Sequence, residues 1–313
     1  MPAYNVLITD GLEESGQAIL RSSASVIDRT GISPQELFQV IGEYEALIVH
    51  SRTQVTAEVF AAAERLRVVG RVGVGVDTID LEAASEHGVT VVNAPTSTSL
   101  AVAEITLGLM LALVRHIPAA DAGMKAGSWL KGELQGRELH EKTLGILGLG
   151  RIGMEVGYRA SAFGMQVLGY DALISAEEIE HRGAKPVSLD DLYAQADFIS
   201  LHLPLTAETR GMVGASAFER MKHGVYIVCT ARGGILSEEA LLEALETGLV
   251  AGAALDVFAS EPPGATDLVR HPHVIATPHI GAQTAEAQSR ASVDIAEEVL
   301  AALQGLALRW KVV

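Results

Sequence analysis

Three polar residues in the last third of the chain have side chains suited to chemistry at a 2-keto acid. Arg232 precedes two glycines, Glu261 precedes two prolines, and His279 follows a proline. A guanidinium offers a planar pair of donors to a carboxylate and a carbonyl oxygen, and an imidazole exchanges a proton near neutral pH. A carboxylate beside the imidazole would orient the ring and stabilise its protonated form. We therefore predict that Arg232 anchors the substrate, that His279 is the acid/base and that Glu261 is its partner.

Each of these residues taken alone also fits a structural role. Arg232 can be an exposed residue of a glycine turn, Glu261 a solvated loop residue, and His279 a turn histidine with satisfied hydrogen bonds. What favours catalysis is that all three occur, in this order, after a dinucleotide-binding motif.

That motif is a G-x-G-x-x-G formed by Gly148, Gly150 and Gly153, with Arg151 and Ile152 at variable positions. An apolar run precedes it and a helical pattern follows it. In dinucleotide-binding folds the three glycines permit a tight turn, a close approach of the pyrophosphate and close packing of the helix, whose N-terminus holds the anion. Arg151 is compatible with a pyrophosphate contact or with an exposed helix position. The motif predicts a nicotinamide cofactor, and a glycine turn without a ligand is the alternative.

Asp171 ends the second strand of this unit, 18 residues beyond Gly153. A carboxylate at this position accepts hydrogen bonds from the adenosine ribose hydroxyls and repels a 2′-phosphate. The predicted cofactor is therefore NAD rather than NADP.

Alternating strand and helix patterns must position these residues. Strands are predicted at residues 6–9, 25–28, 46–50, 68–71 and 90–93, and then at 143–148, 166–170, 198–201, 225–229, 253–255 and 274–276. Helices are predicted at residues 34–41, 57–64, 81–87, 100–115, 152–163 and 284–303. Repeated βα units indicate parallel sheets covered by helices on both faces.

The predicted fold class is α/β, with two doubly wound parallel-sheet domains joined by crossover helices. One is a Rossmann NAD-binding domain, at residues 97–284. The other is a flavodoxin-like substrate-binding domain, at residues 1–96 and 285–313. Small ligands commonly bind between domains, so we expect the substrate in a cleft there.

Composition excludes several classes of function. The formal net charge of -16 argues against a nucleic-acid partner, because phosphate backbones attract basic surfaces. The longest apolar run, residues 100–114, is interrupted by Glu104 and is shorter than a membrane span, so no membrane partner is expected. The N-terminus lacks the pattern of a signal peptide, which favours a cytoplasmic location. The single cysteine, Cys229, excludes an internal disulfide and a multi-cysteine metal site, and no metal is expected.

From Asn5 to about Leu303 the sequence resembles the D-isomer-specific 2-hydroxyacid dehydrogenase family. The runs that carry the resemblance are residues 70–77, 143–153, 230–234, 252–258 and 278–282. It implies the same catalytic roles for Arg232, Glu261 and His279. It also implies that the cofactor is lined by Leu203, Pro204, Thr230 and Ala231, with Asp256 near the nicotinamide amide, and that backbone amides near Val74 and Gly75 hold the substrate carboxylate.

Within the family the sequence is most similar to members that act on 3-phosphoglycerate and 3-phosphohydroxypyruvate in serine biosynthesis. Such members commonly carry arginine where this chain has His50, which leaves Arg52 and Arg71 as the expected partners of the phosphate. The chain has Cys229 where the family often has asparagine, and we interpret it as a buried strand residue rather than a nucleophile. The sequence stops near Val313, so we expect none of the C-terminal regulatory domains with which many such members sense serine.

Three alternatives accompany this interpretation. A glyoxylate or hydroxypyruvate reductase would share every motif. A nucleotide-sensing, corepressor-like binding protein would share the fold, although the intact Arg232, Glu261 and His279 set favours an enzyme. Formate oxidation is disfavoured, since members of that type pair glutamine with the histidine and lack the glutamate.

The segment 100–141 has more apolar surface than one crossover helix needs. We expect it to form the symmetric interface of a homodimer or homotetramer. The other expected partner is a small anionic 2-hydroxy or 2-keto acid.

Overall fold

The structure, a computed structural model, describes residues 4–313. The chain divides into two compact units. The first unit runs up to Thr98 and resumes from Ala282 to Val313, and the second unit is Ser99–Gly281.

Strands and helices alternate along almost the whole chain. The first half contains β1 Asn5–Ile8, α1 Glu14–Arg21, β2 Ser25–Asp28, α2 Pro34–Val40, a short 3-10 helix Ile41–Glu43, β3 Ala46–Val49, α3 Ala57–Ala62, β4 Val68–Arg71, α4 Leu81–Glu86, β5 Thr90–Asn93, α5 Ser99–Val114 and α6 Ile117–Lys125. The second half contains β6 Thr143–Leu147, α7 Arg151–Ala162, β7 Gln166–Tyr170, α8 Ala176–His181, β8 Lys185–Pro186, α9 Leu189–Gln195, β9 Phe198–Leu201, α10 Ala215–Phe218, β10 Val225–Cys229, α11 Glu238–Glu246, β11 Val250–Leu255, α12 Asp267–Arg270, β12 Val274–Ala276 and α13 Ala285–Gln304.

The first unit is built on a five-stranded parallel sheet in the order β2-β1-β3-β4-β5. This is the flavodoxin-like strand order. Its central strand, β3, is apolar and buried along its whole length, as expected of a sheet covered on both faces. On one face α1 and α13 pack so closely that a Cβ at Gly16 would overlap the carbonyl of Ser292.

The segment after α13 adds to the edge of this same sheet. Lys311 forms an antiparallel bridge with Val92, and the amide of Val312 donates to Val91 at 2.8 Å. Glu298, which is 2% exposed, holds the segment by accepting hydrogen bonds from the backbone of Arg309 and from its side chain.

The second unit is built on a seven-stranded parallel sheet in the order β12-β11-β10-β9-β6-β7-β8. Read from β8, this is the dinucleotide-binding order 3-2-1-4-5-6 with one further strand. The order reverses beside β6, and the carboxyl ends of β6 and β9 flank the switch point at which such sheets bind ligands.

The predicted α/β class with two parallel sheets is confirmed, and most predicted strands agree with the structure to within one residue. β11 begins three residues earlier than predicted. The short helices α8 to α12 were not predicted individually, because none is longer than nine residues and each shows too few helical turns of periodicity. Four of them begin after a Ser or Thr whose side chain caps the helix.

Within residues 4–313, no single helix combines the length and apolar character of a membrane span. Among these residues only α5 and α6 taken together have the length and apolar composition of such a span, and the pair is bent by 65° at the break between the two helices.

Candidate active site

The predicted site residues of the second unit lie at the carboxyl ends of strands or in the loop or helix start that follows such an end. Gly148 follows β6, Asp171 follows β7, Thr230 follows β10, Asp256 follows β11, and His279 comes three residues after β12. Since the carboxyl ends of parallel strands share one edge of a sheet, these residues are brought to the same edge although the first and the last are more than 100 residues apart in sequence.

The glycine-rich loop has the backbone geometry that a dinucleotide needs. Gly148 has a φ of 90°, and a Cβ there would lie 2.7 Å from the carbonyl oxygen of His202. A Cβ at Gly153 would overlap the carbonyl of Gly148, so only glycine lets α7 pack against this turn. No heavy atom lies within 4 Å of the Cβ position at Gly150, which leaves open space beside the N-terminus of α7.

Asp171 is fixed beside this loop. Its carboxylate accepts hydrogen bonds from the amide of Leu149 at 2.9 Å and from the amide of Leu173 at 2.9 Å. Arg182, which sequence reasoning missed, donates to the carbonyl oxygen of Leu149 at 2.6 Å and pairs with Glu178. The loop is thus held at both the amide and the carbonyl of one residue.

A half-buried histidine, His202, lies at the adjacent strand end. His202 pairs through Nε2 with the Ser200 hydroxyl at 2.8 Å, and burial lowers its pKa to about 3, so the ring is neutral. Its Nδ1 is buried and has no hydrogen-bond partner among the described residues. The carbonyl of His202 abuts Gly148, and its ring keeps a buried nitrogen without a partner among the described residues. Together with the open space at Gly150, this fits an edge that receives a polar ligand such as a dinucleotide.

The remaining predicted cofactor residues line the same edge. Ala231 and Thr230 are buried, Leu203 is half-buried and Pro204 is exposed. The Thr106 hydroxyl donates its single hydrogen to the carbonyl of Val102. The Thr230 hydroxyl is therefore the donor in its 2.9 Å hydrogen bond with the Thr106 oxygen. Arg151 is exposed at the first position of α7.

His279 and Glu261 form the pair that the sequence predicts. Nδ1 of His279 lies 2.8 Å from Oε2 of Glu261, and both side chains are partly exposed, at 46% and 38%. The second oxygen of Glu261 accepts from the amide of Phe258 at 3.0 Å. An ionised carboxylate only accepts hydrogen bonds, so Nδ1 carries the hydrogen and Nε2 is the nitrogen left for a reacting group.

Asp256 holds the loop on which His279 lies. It is 1% exposed and accepts hydrogen bonds from the Thr277 hydroxyl at 2.6 Å, from the amide of Ile280 at 2.9 Å and from the amide of Gly281 at 2.8 Å. His279 itself has a φ of 53°, a left-handed conformation that costs free energy in a non-glycine residue and persists because its surroundings enforce it.

Arg232 is half-buried and donates to the carbonyl of Ala231 at 2.7 Å. The next residue, Gly233, approaches the backbone of Phe258 and Ala259 so closely that a Cβ would overlap the Phe258 carbonyl. The turn bearing Arg232 is therefore packed directly against the loop that leads to Glu261.

The four predicted substrate-binding residues belong to the first unit. Arg52 is already engaged there, since it donates to the carbonyls of Thr9 and Ile32 and pairs with Asp10 at 3.0 Å. Burial acts to raise the pKa of Asp10. This pKa is nevertheless held below its usual value by hydrogen bonds from Thr53 and His50 and by the charge of Arg52.

The other three lie in or just before the loop after β4. Arg71 donates to the carbonyl of Val72, and Val74 is 37% exposed, with its carbonyl accepting from Asn93 at 2.7 Å. Gly75 is half-buried. No group of three or more metal-ligating side chains occurs among residues 4–313.

Comparison with known proteins identifies the class. Residues 107–281 match the family model described as D-isomer specific 2-hydroxyacid dehydrogenase, NAD binding domain. The fold and site thus define an NAD-binding α/β protein of the dehydrogenase type. The chain belongs to the D-isomer-specific 2-hydroxyacid dehydrogenase family, as its sequence motifs predicted.

Several relatives cover nearly the whole chain. D-3-phosphoglycerate dehydrogenase of Rattus norvegicus is 47% identical over 97% of this chain and 57% of its own length. The Methanocaldococcus jannaschii protein of the same name is 48% identical over 96% and 57%. The chain therefore spans little more than half the length of these relatives.

Solved structures of similar proteins share the fold over their full length. A glyoxylate reductase from Paecilomyes thermophila superposes with a TM-score of 0.91 at 31% identity, covering 100% of this chain and 99% of that one. A protein from Thermus thermophilus gives a TM-score of 0.91 at 35% identity, covering 99% and 100%.

Cys229, which the sequence predicts to be buried in a strand, is the last residue of β10 and is 2% exposed. Its thiol donates to the carbonyl of Arg232 at 3.7 Å, and burial raises the pKa of this thiol to about 11. The prediction that it is a buried strand residue is confirmed.

We expect the Cys229 thiol to be unreactive in the folded protein, because the thiolate is the nucleophile and burial disfavours it. Titration with a thiol reagent at about pH 7.5, below the reference thiol pKa, should detect no reactive thiol per folded chain and one after unfolding in guanidinium. Complete reaction of the folded chain within minutes would contradict this.

Proposed function

We propose that the protein is an NAD-dependent oxidoreductase acting at C2 of a small D-2-hydroxy acid, with 3-phosphoglycerate and 3-phosphohydroxypyruvate as its substrate pair. The observation that carries the activity is the His279–Glu261 pair, fixed by Asp256 at the edge of the sheet that matches the NAD-binding domain. The relatives named D-3-phosphoglycerate dehydrogenase support the choice of substrate. A place in serine biosynthesis stays part of the proposal.

Each of these residues has a separate role in the proposed reaction. Bound NAD, held by the glycine-rich loop and Asp171, would accept or supply a hydride. His279 takes the hydroxyl proton of the 2-hydroxy acid on Nε2 during oxidation and returns it to the carbonyl oxygen during reduction. Glu261 keeps the ring in the tautomer with hydrogen on Nδ1 and stabilises the imidazolium. Arg232 binds the substrate through its guanidinium.

We expect His279→Ala to lower kcat by roughly 10²–10⁴-fold, the usual contribution of a positioned acid/base. NADH binding, followed by fluorescence, should persist because the imidazole serves the proton transfer. The matched control is His273→Ala, an exposed histidine of the same unit. Near-normal turnover of His279→Ala would refute the acid/base assignment.

The substrate is tested with a panel of 3-phosphohydroxypyruvate, hydroxypyruvate, glyoxylate and 2-ketoglutarate, each with NADH. We expect the highest kcat/KM with 3-phosphohydroxypyruvate. A higher value with glyoxylate or hydroxypyruvate would establish the alternative, which the similarity to a glyoxylate reductase structure favours. NADH binding without turnover of any compound would instead point to a corepressor-like role.

Cofactor preference is tested at Asp171. Asp171→Asn removes the charge that repels a 2′-phosphate but keeps an acceptor for Leu149. We expect it to lower the ratio of kcat/KM for NAD over NADP by roughly tenfold, about 1.4 kcal/mol. Asp171→Ala, which also loses the loop contact, should weaken the binding of both cofactors. Equal use of NAD and NADP by the unmodified protein would overturn the assignment.

We propose that residues 100–141 form a homodimer or homotetramer interface. No residue of α6 is buried, and Ile117, Met124 and Trp129 are 51%, 58% and 76% exposed. Large apolar side chains exposed within one short segment are typical of interaction sites, and closed symmetric pairing of identical chains buries them.

Light scattering should therefore show a dimer or tetramer of the unmodified protein. At micromolar protein concentration, the variant Trp129→Glu should have a lower mass than the unmodified oligomer, because the new charge weakens the interface. The control is Leu306→Glu, which places the same charge at an exposed leucine of the first unit and should leave the mass unchanged. A monomeric unmodified protein would contradict the proposal.

A further inference from the structure

The loop from Asp256 to Glu261 has a second carboxylate holding its backbone. Oε1 of Glu238 accepts a hydrogen bond from the amide of Ala259 at 2.7 Å. The neighbouring amide, that of Phe258, donates to Glu261 itself at 3.0 Å. Two consecutive amides of this loop are therefore held by two different carboxylates, one of which belongs to the predicted catalytic pair.

Glu238 is well placed to act as a fixed anchor. It is the first residue of α11, a nine-residue helix whose preceding Ser237 accepts from the amide of Ala240. The helix is packed into the core through Leu241, Ala244 and Leu245. A short hydrogen bond from an amide to a carboxylate is stronger than one between neutral groups.

The same side chain lies where the turn bearing Arg232 meets the loop bearing Glu261. Gly233 abuts the carbonyl of Phe258, and Glu238 reaches the amide of the very next residue. Cys229, Arg232, Gly233, Val257 and Glu238 also line one small cavity. The segment 233–238 thus contacts the backbone of Phe258 and Ala259 at two points, through Gly233 and through the Glu238 carboxylate.

We propose that Glu238 is a positioning residue that sets the orientation of Glu261, and through it that of His279. This inference rests on the proposed function. Glu238 holds the Ala259 amide, this amide fixes the loop, and the loop presents Glu261 to Nδ1 of His279. Loss of the Glu238 carboxylate frees the loop and lowers the fraction of molecules with the imidazole correctly oriented.

A simpler role for Glu238 is to stabilise α11 through its charge in the first turn. Glu239 shares that role, because it lies in the same turn, but it is not the residue that accepts from the Ala259 amide. Comparing Glu238→Ala with Glu239→Ala therefore separates positioning from helix stabilisation. Glu238→Gln is the conservative variant, since its amide oxygen can still accept the Ala259 hydrogen.

The contact is tested first by hydrogen exchange of the full chain without substrate. We expect the amides of residues 258–261 to exchange about tenfold faster in Glu238→Ala, as loss of a hydrogen bond to a charged group implies. Glu239→Ala should match the unmodified protein, and Glu238→Gln should lie close to it. If Glu238→Ala fails to fold, Glu238→Asp takes its place, because it keeps the charge and shortens the reach.

Kinetics then test positioning. Glu238→Ala should lower kcat by about tenfold with the KM for NADH unchanged, and Glu238→Gln should restore most of the loss. The opposite result is an equal kcat of the two variants Glu238→Ala and Glu239→Ala, although the unmodified protein is active and depends on His279. That result would refute the positioning role of Glu238 and leave the proposed function standing. If the unmodified protein turned over no substrate, both the proposed function and the positioning role would fall.

Discussion

The buried carboxylate of Asp256 is the constraint on which the rest of the site depends. A carboxyl group in the interior is tolerated only when hydrogen bonds replace its hydration, and the hydroxyl and the two amides that do so all come from the loop of residues 277–281. The loop is therefore tied to the end of β11. His279, in the middle of it, is held in a backbone conformation that it would otherwise rarely adopt.

The neighbouring loops are fixed by close backbone approach as much as by side chains. Gly233 admits the carbonyl of Phe258, and Gly153 admits that of Gly148. A side chain at Gly233 would force two loops apart, and one at Gly153 would push α7 away from the glycine turn. Such loops lack the regular hydrogen bonding of strands and helices, so these contacts, together with carboxylates accepting from amides, supply the rigidity that a catalytic geometry needs.

Arg52 shows how a local contact can change the role expected of a residue. Its charge and position suggested a partner for a substrate phosphate, but in the structure it binds two carbonyls and Asp10 within its own unit. These contacts of the guanidinium already connect the loops after β1 and β3. Its phosphate-binding role stays a prediction, and a phosphate would have to share this arginine with those contacts.

Much of the protein was determined by its sequence alone. Short hydrophobic runs separated by helical periods specify parallel sheets, and the spacing from Gly148 to Asp171 predicts a dinucleotide site, because both depend on local periodicity and turn chemistry. The types of residue at positions 232, 261 and 279 indicated an acid/base pair and an anion anchor, because the chemistry of a side chain can be read from its residue type.

The tertiary structure alone decided how these groups are held. Nothing in the run Ser237-Glu238-Glu239 shows which glutamate reaches Ala259, since the partner lies 21 residues away beyond another strand end. Nor does the sequence reveal that Arg182 donates a hydrogen bond to the carbonyl of Leu149, or that His202 has a buried nitrogen without a partner among the described residues. Hydrogen bonds between loops depend on strand order and backbone direction, and these exist only once the sheet has assembled its strand ends along one edge.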